Sequence, residues 1–180
     1  MINFTGLLCG KLSDGDDLRY HRKTDKPVVV WNSTRRCNLS CWHCYSSSTC
    51  EGAPEELSTQ EALQLIQGLA RFGVPALLFS GGEPLMREDI FILGAEAKRL
   101  GMRAVISTNG TLITTLVASK IKAAGFDYVG VSIDGTGVLN DVFRGRTGAF
   151  VSALAGIRNL KAVGQRRDCA SLSQNTICAR

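Results

Sequence analysis

Three cysteines lie in one short turn, Cys37-x-x-x-Cys41-x-x-Cys44. Three thiolates are one too few to saturate a four-iron cluster, so a cubane held this way keeps one iron open to a ligand that is not protein. The rival chemistry is structural zinc, which takes four ligands in a tetrahedron. Cys37, Cys41 and Cys44 with either His43 or Cys50 could supply them. Zinc sites usually come as paired short hooks, and no second hook faces this one, which favours iron–sulfur. Cys9 and Cys50 read as ordinary thiols, and His21 as a surface residue.

The elements that must position this turn are read from hydrophobic period. Short apolar runs recur at Val28-Val29-Val30-Trp31, Ala76-Leu77-Leu78-Phe79, Ala104-Val105-Ile106 and Tyr128-Val129-Gly130-Val131. Continuous runs of this kind suit parallel strands buried on both faces. Between them lie amphipathic helices. Ser58 and Glu61 form a capping box before Ala62, Leu65, Ile66, Leu69 and Phe72. Glu88 and Asp89 precede Ile90, Leu93, Ala97 and Leu100, a helix start where the dipole favours acids. Leu112, Leu116, Val117 and Ile121 supply a third stripe, and Phe150, Leu154 and Ile157 a fourth. The last three strands start about 25 residues apart, a normal βα repeat. Four βα units predict an α/β fold with a parallel sheet, a partial, open β/α barrel where a closed one needs eight units.

A polar, mostly glycine-bearing turn follows every strand: the cysteine loop, Ser80-Gly81-Gly82-Glu83-Pro84, Ser107-Thr108-Asn109-Gly110 and Ser132-Ile133-Asp134-Gly135. Ligands of parallel α/β proteins bind beyond the carboxyl ends of the strands, so the four turns outline one site. Each alone is also an ordinary turn; their joint placement carries the inference. Gly81 and Gly82 let backbone approach a ligand closely, Glu83 offers a carboxylate to an ammonium group, and Pro84 stiffens the turn. Arg144, in Arg144-Gly145-x-x-Gly148, reads equally as a carboxylate grip or a solvated loop charge.

The 180 residues are one domain's worth of chain, 44% apolar and 21% charged, ordinary values for a globular protein. The net charge of +5 suits an anionic substrate or an acidic redox partner. Its basic residues are scattered and aromatics are few, so no nucleic-acid stripe is expected. No run approaches the roughly 18 apolar residues of a membrane span. Met1 to Cys9 lacks a basic leader, and Gly10-Lys11 ends its apolar run. Seven cysteines, an odd number with three clustered, point to metal or redox work in the cytoplasm, with neither nucleic acid nor membrane as partner.

With Arg35-Arg36-Cys37-Asn38-Leu39, His43-Cys44-Tyr45 and Gly81-Gly82-Glu83-Pro84, residues 27–165 resemble the radical S-adenosylmethionine (radical SAM) superfamily. The resemblance implies a [4Fe–4S] cluster on Cys37, Cys41 and Cys44, with the amino and carboxylate groups of S-adenosylmethionine on the open iron. It implies that residues 81–83 receive that amino group, with Pro84 in the same turn, and that Thr108 and Ser132 meet the ribose or substrate. His43 would lie near the adenine, where many members carry an aromatic residue; Asn109, Asp134 and Arg144 complete the candidate cofactor-binding set. The implied reaction is reductive homolysis of the sulfonium to a 5′-deoxyadenosyl radical, with a low-potential flavodoxin or ferredoxin as electron donor. No side chain is assigned an acid–base role.

A narrower resemblance rests on Gly6-Leu7-Leu8-Cys9-Gly10, Asp17-Leu18-Arg19-Tyr20, Trp31-Asn32-x-Thr34, Cys44-Tyr45-Ser46-Ser47-Ser48 and Asn140-Asp141-x-Phe143-Arg144-Gly145. These resemble the tetrapyrrole-modifying branch (12,18-didecarboxysiroheme deacetylases and NirJ-type haem d1 biosynthesis proteins). That implies a siroheme-derived tetrapyrrole as substrate; peptide-modifying maturases share the same core.

The expected organisation is an N-terminal extension over 1–26, an incomplete radical SAM core over 27–165 with about four of six βα units, and an aberrant or disordered tail over 166–180. Arg166-Arg167-Asp168-Cys169-Ala170-Ser171-Leu172-Ser173 reads as neither strand nor helix, and Cys169 and Cys178 resemble auxiliary-cluster ligands only superficially. Shifted by one nucleotide, codons for that octapeptide can spell Lys-Ala-Gly-Leu-Arg-Phe-Thr-Leu, a credible buried strand, so a frameshift or sequencing error after Gln165 that replaced the fifth strand is the expectation. Resequencing across codon 165 tests this; an unshifted frame continuing downstream defeats it.

Overall fold

The computed structural model describes residues 26–171. Cys9, His21, Cys178 and the two N-terminal motifs lie outside the described residues. The elements alternate: β1 (Val29–Thr34), α1 (Thr59–Phe72), β2 (Ala76–Gly81), a 3-10 turn (Pro84–Met86), α2 (Ile90–Arg99), β3 (Arg103–Thr108), α3 (Thr115–Ala123), β4 (Tyr128–Ile133), α4 (Val138–Arg144), α5 (Ala149–Ala162) and β5 (Arg167–Ser171). The five strands form one parallel sheet in the order β1-β2-β3-β4-β5. Sequential order with right-handed crossovers puts the connecting helices on one face, which curls the sheet into a barrel segment instead of a doubly wound sandwich. The expected open α/β architecture is therefore present.

Three expectations need correction. Residues 167–171 form a strand, paired with β4 from Val129↔Arg167 to Ile133↔Ser171. A ladder is made by backbone groups that polar residues supply as well as apolar ones, so Arg167 and Asp168 do not prevent it. The strands are buried on one face only. Leu77, Phe79, Ala104, Ile106, Val129, Val131 and Ile133 pack with Ile66, Leu93, Ala97, Ile121 and Leu160 of the helices in a single core. The alternating row is open: Val30 is 55% exposed, and Leu78, Val105 and Tyr128 are half-buried. Two residues assigned to buried helix stripes, Phe72 and Leu116, face solvent. Helix α4 was absent from the expected pattern, because seven residues are too few to show a period of 3.6.

Ser58 caps α1 as expected, its hydroxyl accepting from the Glu61 amide at 3.4 Å while Glu61 Oε2 accepts from the Ser58 amide at 2.8 Å. Asp89 precedes α2 without capping it; its carboxylate instead takes both Nε and an Nη of Arg87, at 2.6 and 3.0 Å.

Candidate functional site

The four post-strand turns do meet. Cys37, Cys41, His43, Cys44, Gly81, Gly82, Thr108, Asn109, Ser132, Asp134 and Arg144 all line one cavity of about 270 Å³ at the carboxyl edge of the sheet. A second depression, near Arg36, Glu56, Arg87 and Asp89, is polar but satisfied: Arg87 is spent on Asp89 and on the carbonyls of Ser33 and Leu57.

The cysteine loop is shaped by contacts that need no metal. The Cys37 amide donates to Thr49 O at 2.8 Å and the Thr49 amide to Arg35 O at 3.1 Å, closing the loop at its neck. Glu56 accepts from the Arg35 amide at 2.7 Å and from the Thr34 hydroxyl at 3.0 Å. Asn38 donates to Thr111 at 2.9 Å and accepts from the Asn109 side chain at 2.8 Å, tying the loop to the turn after β3. The Trp42 amide donates to Phe143 O at 3.0 Å. Gly145, with φ of 64°, abuts Ser40 so closely that a Cβ there would meet the Ser40 carbonyl.

The other four named residues of the Asn140–Gly145 motif each do separate work. Asn140 Oδ1 accepts from the Asp134 amide at 3.0 Å, and the Asp141 carboxylate accepts from the amides of Gly148 and Phe150 at the start of α5. Phe143 meets His43 edge-on with centroids 5.9 Å apart. Arg144 Nε lies 2.7 Å from Asp134 Oδ2, and His43 Nε2 lies 3.2 Å from the same oxygen. An Arg144 Nη is also 3.9 Å from Cys41 Sγ. Arg144 is thus a half-buried ion-pair partner turned toward the cysteines and not a solvated loop charge.

Glu83 and Pro84 depart from expectation, for neither lines the cavity. Glu83 is fully buried, and its carboxylate accepts from the Thr108 hydroxyl at 2.7 Å, the Asn109 amide at 2.7 Å and the Leu85 amide at 3.1 Å. It joins two turns instead of facing a ligand. Burial pushes its carboxyl above the usual range, against the pull of those three donors and of Arg144. Thr108 does line the cavity, but its proton is committed to Glu83.

Gly81 and Gly82 serve the protein's own backbone before any ligand. The Gly82 amide donates to Thr34 O and the Glu83 amide to Arg36 O, both at 2.8 Å. A Cβ on Gly81, at φ of 120°, would collide with the Thr34 carbonyl, and one on Gly82 with that of Arg36. Gly81→Ala or Gly82→Ala is expected to cost about 3 kcal/mol. Thermal melts of the variants would read this as a fall in Tm of roughly 6–12 °C; an unchanged Tm would refute the close approach.

The thiols differ electrostatically. Burial pushes Cys37 up. For Cys44, burial also raises the value, but hydrogen bonds from the Ser46 hydroxyl and the Ser48 and Ser46 amides outweigh it and bring the thiol down to about 7. Among the described residues no three His, Cys, Asp or Glu side chains gather tightly enough for a single metal ion. The two candidates for a fourth zinc ligand are otherwise placed: Cys50 is exposed and outside the cavity lining, and His43 sits on Asp134. A cubane asks for something different, one thiolate on each of three irons around a common space. The donor set fits that group. Sequence reasoning missed Asn38, Tyr45, Ser46, Ser48 and Asn140 as site residues. The serines stood in view beside Cys44, but hydroxyls in a loop carry no periodic or spacing signal.

The radical SAM superfamily model matches residues 31–176, past the expected core boundary at Gln165. The chain belongs to the radical SAM superfamily. Family members use a [4Fe–4S] cluster and S-adenosylmethionine. This radical SAM chain is 51% identical over 177 residues to the Fe-coproporphyrin III synthase of Methanosarcina barkeri, covering 91% of this chain and 44% of that protein. It is 50% identical over 146 residues to the pre-heme d1 synthase of Dinoroseobacter shibae, covering 81% and 36%. The mycofactocin maturase MftC of Mycobacterium tuberculosis is 39% identical over 150 residues, covering 81% and 37%. The chain therefore spans less than half the length of these relatives. The fold matches that of anSMEcpe with bound AdoMet, at a TM-score of 0.62 and 20% identity over 79% of this chain and 43% of that one. Among the described residues no helix is long and apolar enough to cross a membrane.

Proposed function

We propose that this chain is the cluster- and SAM-binding part of an enzyme that modifies side chains of a siroheme-derived tetrapyrrole in haem or haem d1 biosynthesis. The observation that carries the metal reading is that the thiols of Cys37, Cys41 and Cys44 line the same cavity as Gly81 and Gly82. The tetrapyrrole reading is supported by 50–51% identity to proteins named for Fe-coproporphyrin III and pre-heme d1 synthesis, against 39% to a peptide maturase.

Cys37, Cys41 and Cys44 would hold the cluster. When bound, the cluster and S-adenosylmethionine supply one-electron reductive cleavage of the sulfonium, yielding a 5′-deoxyadenosyl radical that abstracts a substrate hydrogen atom. The chain's own residues bind and orient. The carbonyls of the turn at 81–82 offer acceptors for the ligand's ammonium group. Arg144, held by Asp134 beside Cys41, offers a guanidinium to its carboxylate. His43, Ser132, Thr108 and Asn109 line the same cavity. Electrons would come from a flavodoxin- or ferredoxin-type donor.

Anaerobic reconstitution tests the reading. The expected result is about four irons per chain and release of 5′-deoxyadenosine only when reductant is present. Bound zinc without cleavage would mean a purely structural site. Turnover of a precursor peptide, with no change to a siroheme-derived macrocycle, would move the substrate to the maturase class.

A further inference from the structure

We infer that Ser46 couples occupancy of the ligand turn to the electronic state of the metal centre. This rests on the reading of Cys44 as a cluster ligand. Ser46 Oγ lies 3.4 Å from Cys44 Sγ, 3.3 Å from the Gly81 carbonyl oxygen and 2.6 Å from Ser48 Oγ. A serine hydroxyl has one proton to give, whereas a metal-bound thiolate and a carbonyl can only accept. Cys44 and Gly81 therefore compete for the same proton. Ser48 Oγ is the nearest partner of Ser46 Oγ, and with the Ser48 hydroxyl as the donor of that pair the Ser46 proton is left for one of the two acceptors. The Ser48 amide gives Cys44 Sγ a second hydrogen bond at 3.4 Å, anchored in backbone and so not part of the competition.

Gly81 belongs to the turn that would receive the ammonium group of the ligand. With the turn empty, the single Ser46 proton is divided between the Gly81 carbonyl at 3.3 Å and Cys44 Sγ at 3.4 Å. A bound ammonium group gives that carbonyl a charge-assisted donor, which is the stronger partner. The carbonyl becomes a weaker acceptor for Ser46, and the shared proton shifts toward Cys44 Sγ. Hydrogen bonds to cluster sulfurs stabilise the reduced, more negative state and raise its potential. The centre becomes easier to reduce when the ligand that uses the electron is in place. Ser46 is a positioning residue in this scheme, since it touches a cluster ligand and a ligand-binding carbonyl but no reacting atom.

The test is a potentiometric titration, followed by electron paramagnetic resonance, of the reconstituted wild-type chain, Ser46→Ala and Ser46→Thr, each with and without S-adenosylmethionine. In Ser46→Ala with ligand present, the reduced-to-oxidised ratio at fixed potential is expected to fall about threefold to tenfold, the worth of one net hydrogen bond. The ligand-induced shift should be smaller than in wild type, and Ser46→Thr, which keeps the hydroxyl, should restore it. Equal shifts in wild type and Ser46→Ala would overturn the coupling. Failure of the wild-type chain to take up iron would overturn the metal reading and the coupling with it, so iron content tells the two failures apart. Because Ser46 is a half-buried loop residue, both variants should melt with wild type when metal-free.

Discussion

Replacing any one of Cys37, Cys41 or Cys44 by alanine is expected to remove the cluster and leave the chain folded. Iron should drop from about four per chain to nearly none, while the far-ultraviolet circular dichroism stays that of the metal-free wild type. The reason is that the loop does not depend on metal for its shape. Its neck is closed by the Cys37–Thr49 and Arg35–Thr49 backbone bonds, and its body is pinned by Asn38 to the turn after β3 and by Trp42 to Phe143. None of these contacts uses a thiol. The sulfurs are half-buried or exposed, so their loss creates little cavity. Cys50→Ala is the control, and it should keep the full iron content because Cys50 stands outside the cavity. A chain that holds its iron after losing one of the three, or that needs Cys50 to hold it, would remove the basis for the proposed function.

Glu83→Ala is expected to be the most destabilising single change at the site, at roughly 3–5 kcal/mol. It leaves the Thr108 hydroxyl and the amides of Asn109 and Leu85 without their acceptor in a region sealed from water. Glu83→Gln should be intermediate. An amide has one oxygen, so it can serve Thr108 and Leu85 at Oε1 or Asn109 at the other position, and its NH2 then opposes a donor. The dependence on pH has a definite sign. Burial holds the folded-state carboxyl above its unfolded value. The stability linked to its protonation is therefore fully present below the unfolded value, about pH 4.3, and is lost as pH rises through the folded one. Urea titrations across this range should show that component in wild type and lack it in Glu83→Ala. A variant as stable as wild type would mean that the carboxylate does not join the two turns.

Much of this arrangement was legible in order along the chain. The spacing of Cys37, Cys41 and Cys44 announces metal ligation without any knowledge of the fold, since a three-thiolate hook is a local property. The alternation of apolar runs with capped helices, as at Ser58 and Glu61, gives a parallel sheet, and parallel sheets put their loops on a common edge. That edge is where the cavity lies. What failed to read were features decided by position in space. Glu83 looked like a ligand group because a carboxylate beside two glycines is chemically apt for one; only the packing of Thr108 and Asn109 against it shows both oxygens taken. Residues 167–171 looked unfit for a strand because side-chain pattern says nothing about backbone groups that β4 leaves open for pairing. Phe72 and Leu116 matched a helical stripe but lie at its margin, where a period cannot distinguish the edge of a face from its centre.

The sequence by itself determined the chemistry on offer: three thiolates, a glycine pair and an arginine, at spacings that local geometry converts into a hook and a close-approach turn. Tertiary structure alone decided how they are used, setting Arg144 on Asp134 beside Cys41, sinking Glu83 beneath the cavity and placing Ser46 between Cys44 and Gly81. The physical reason is that hydrogen bonds and ion pairs depend on separations of about 3 Å between atoms from distant parts of the chain. Such separations exist only after the strands have paired in register.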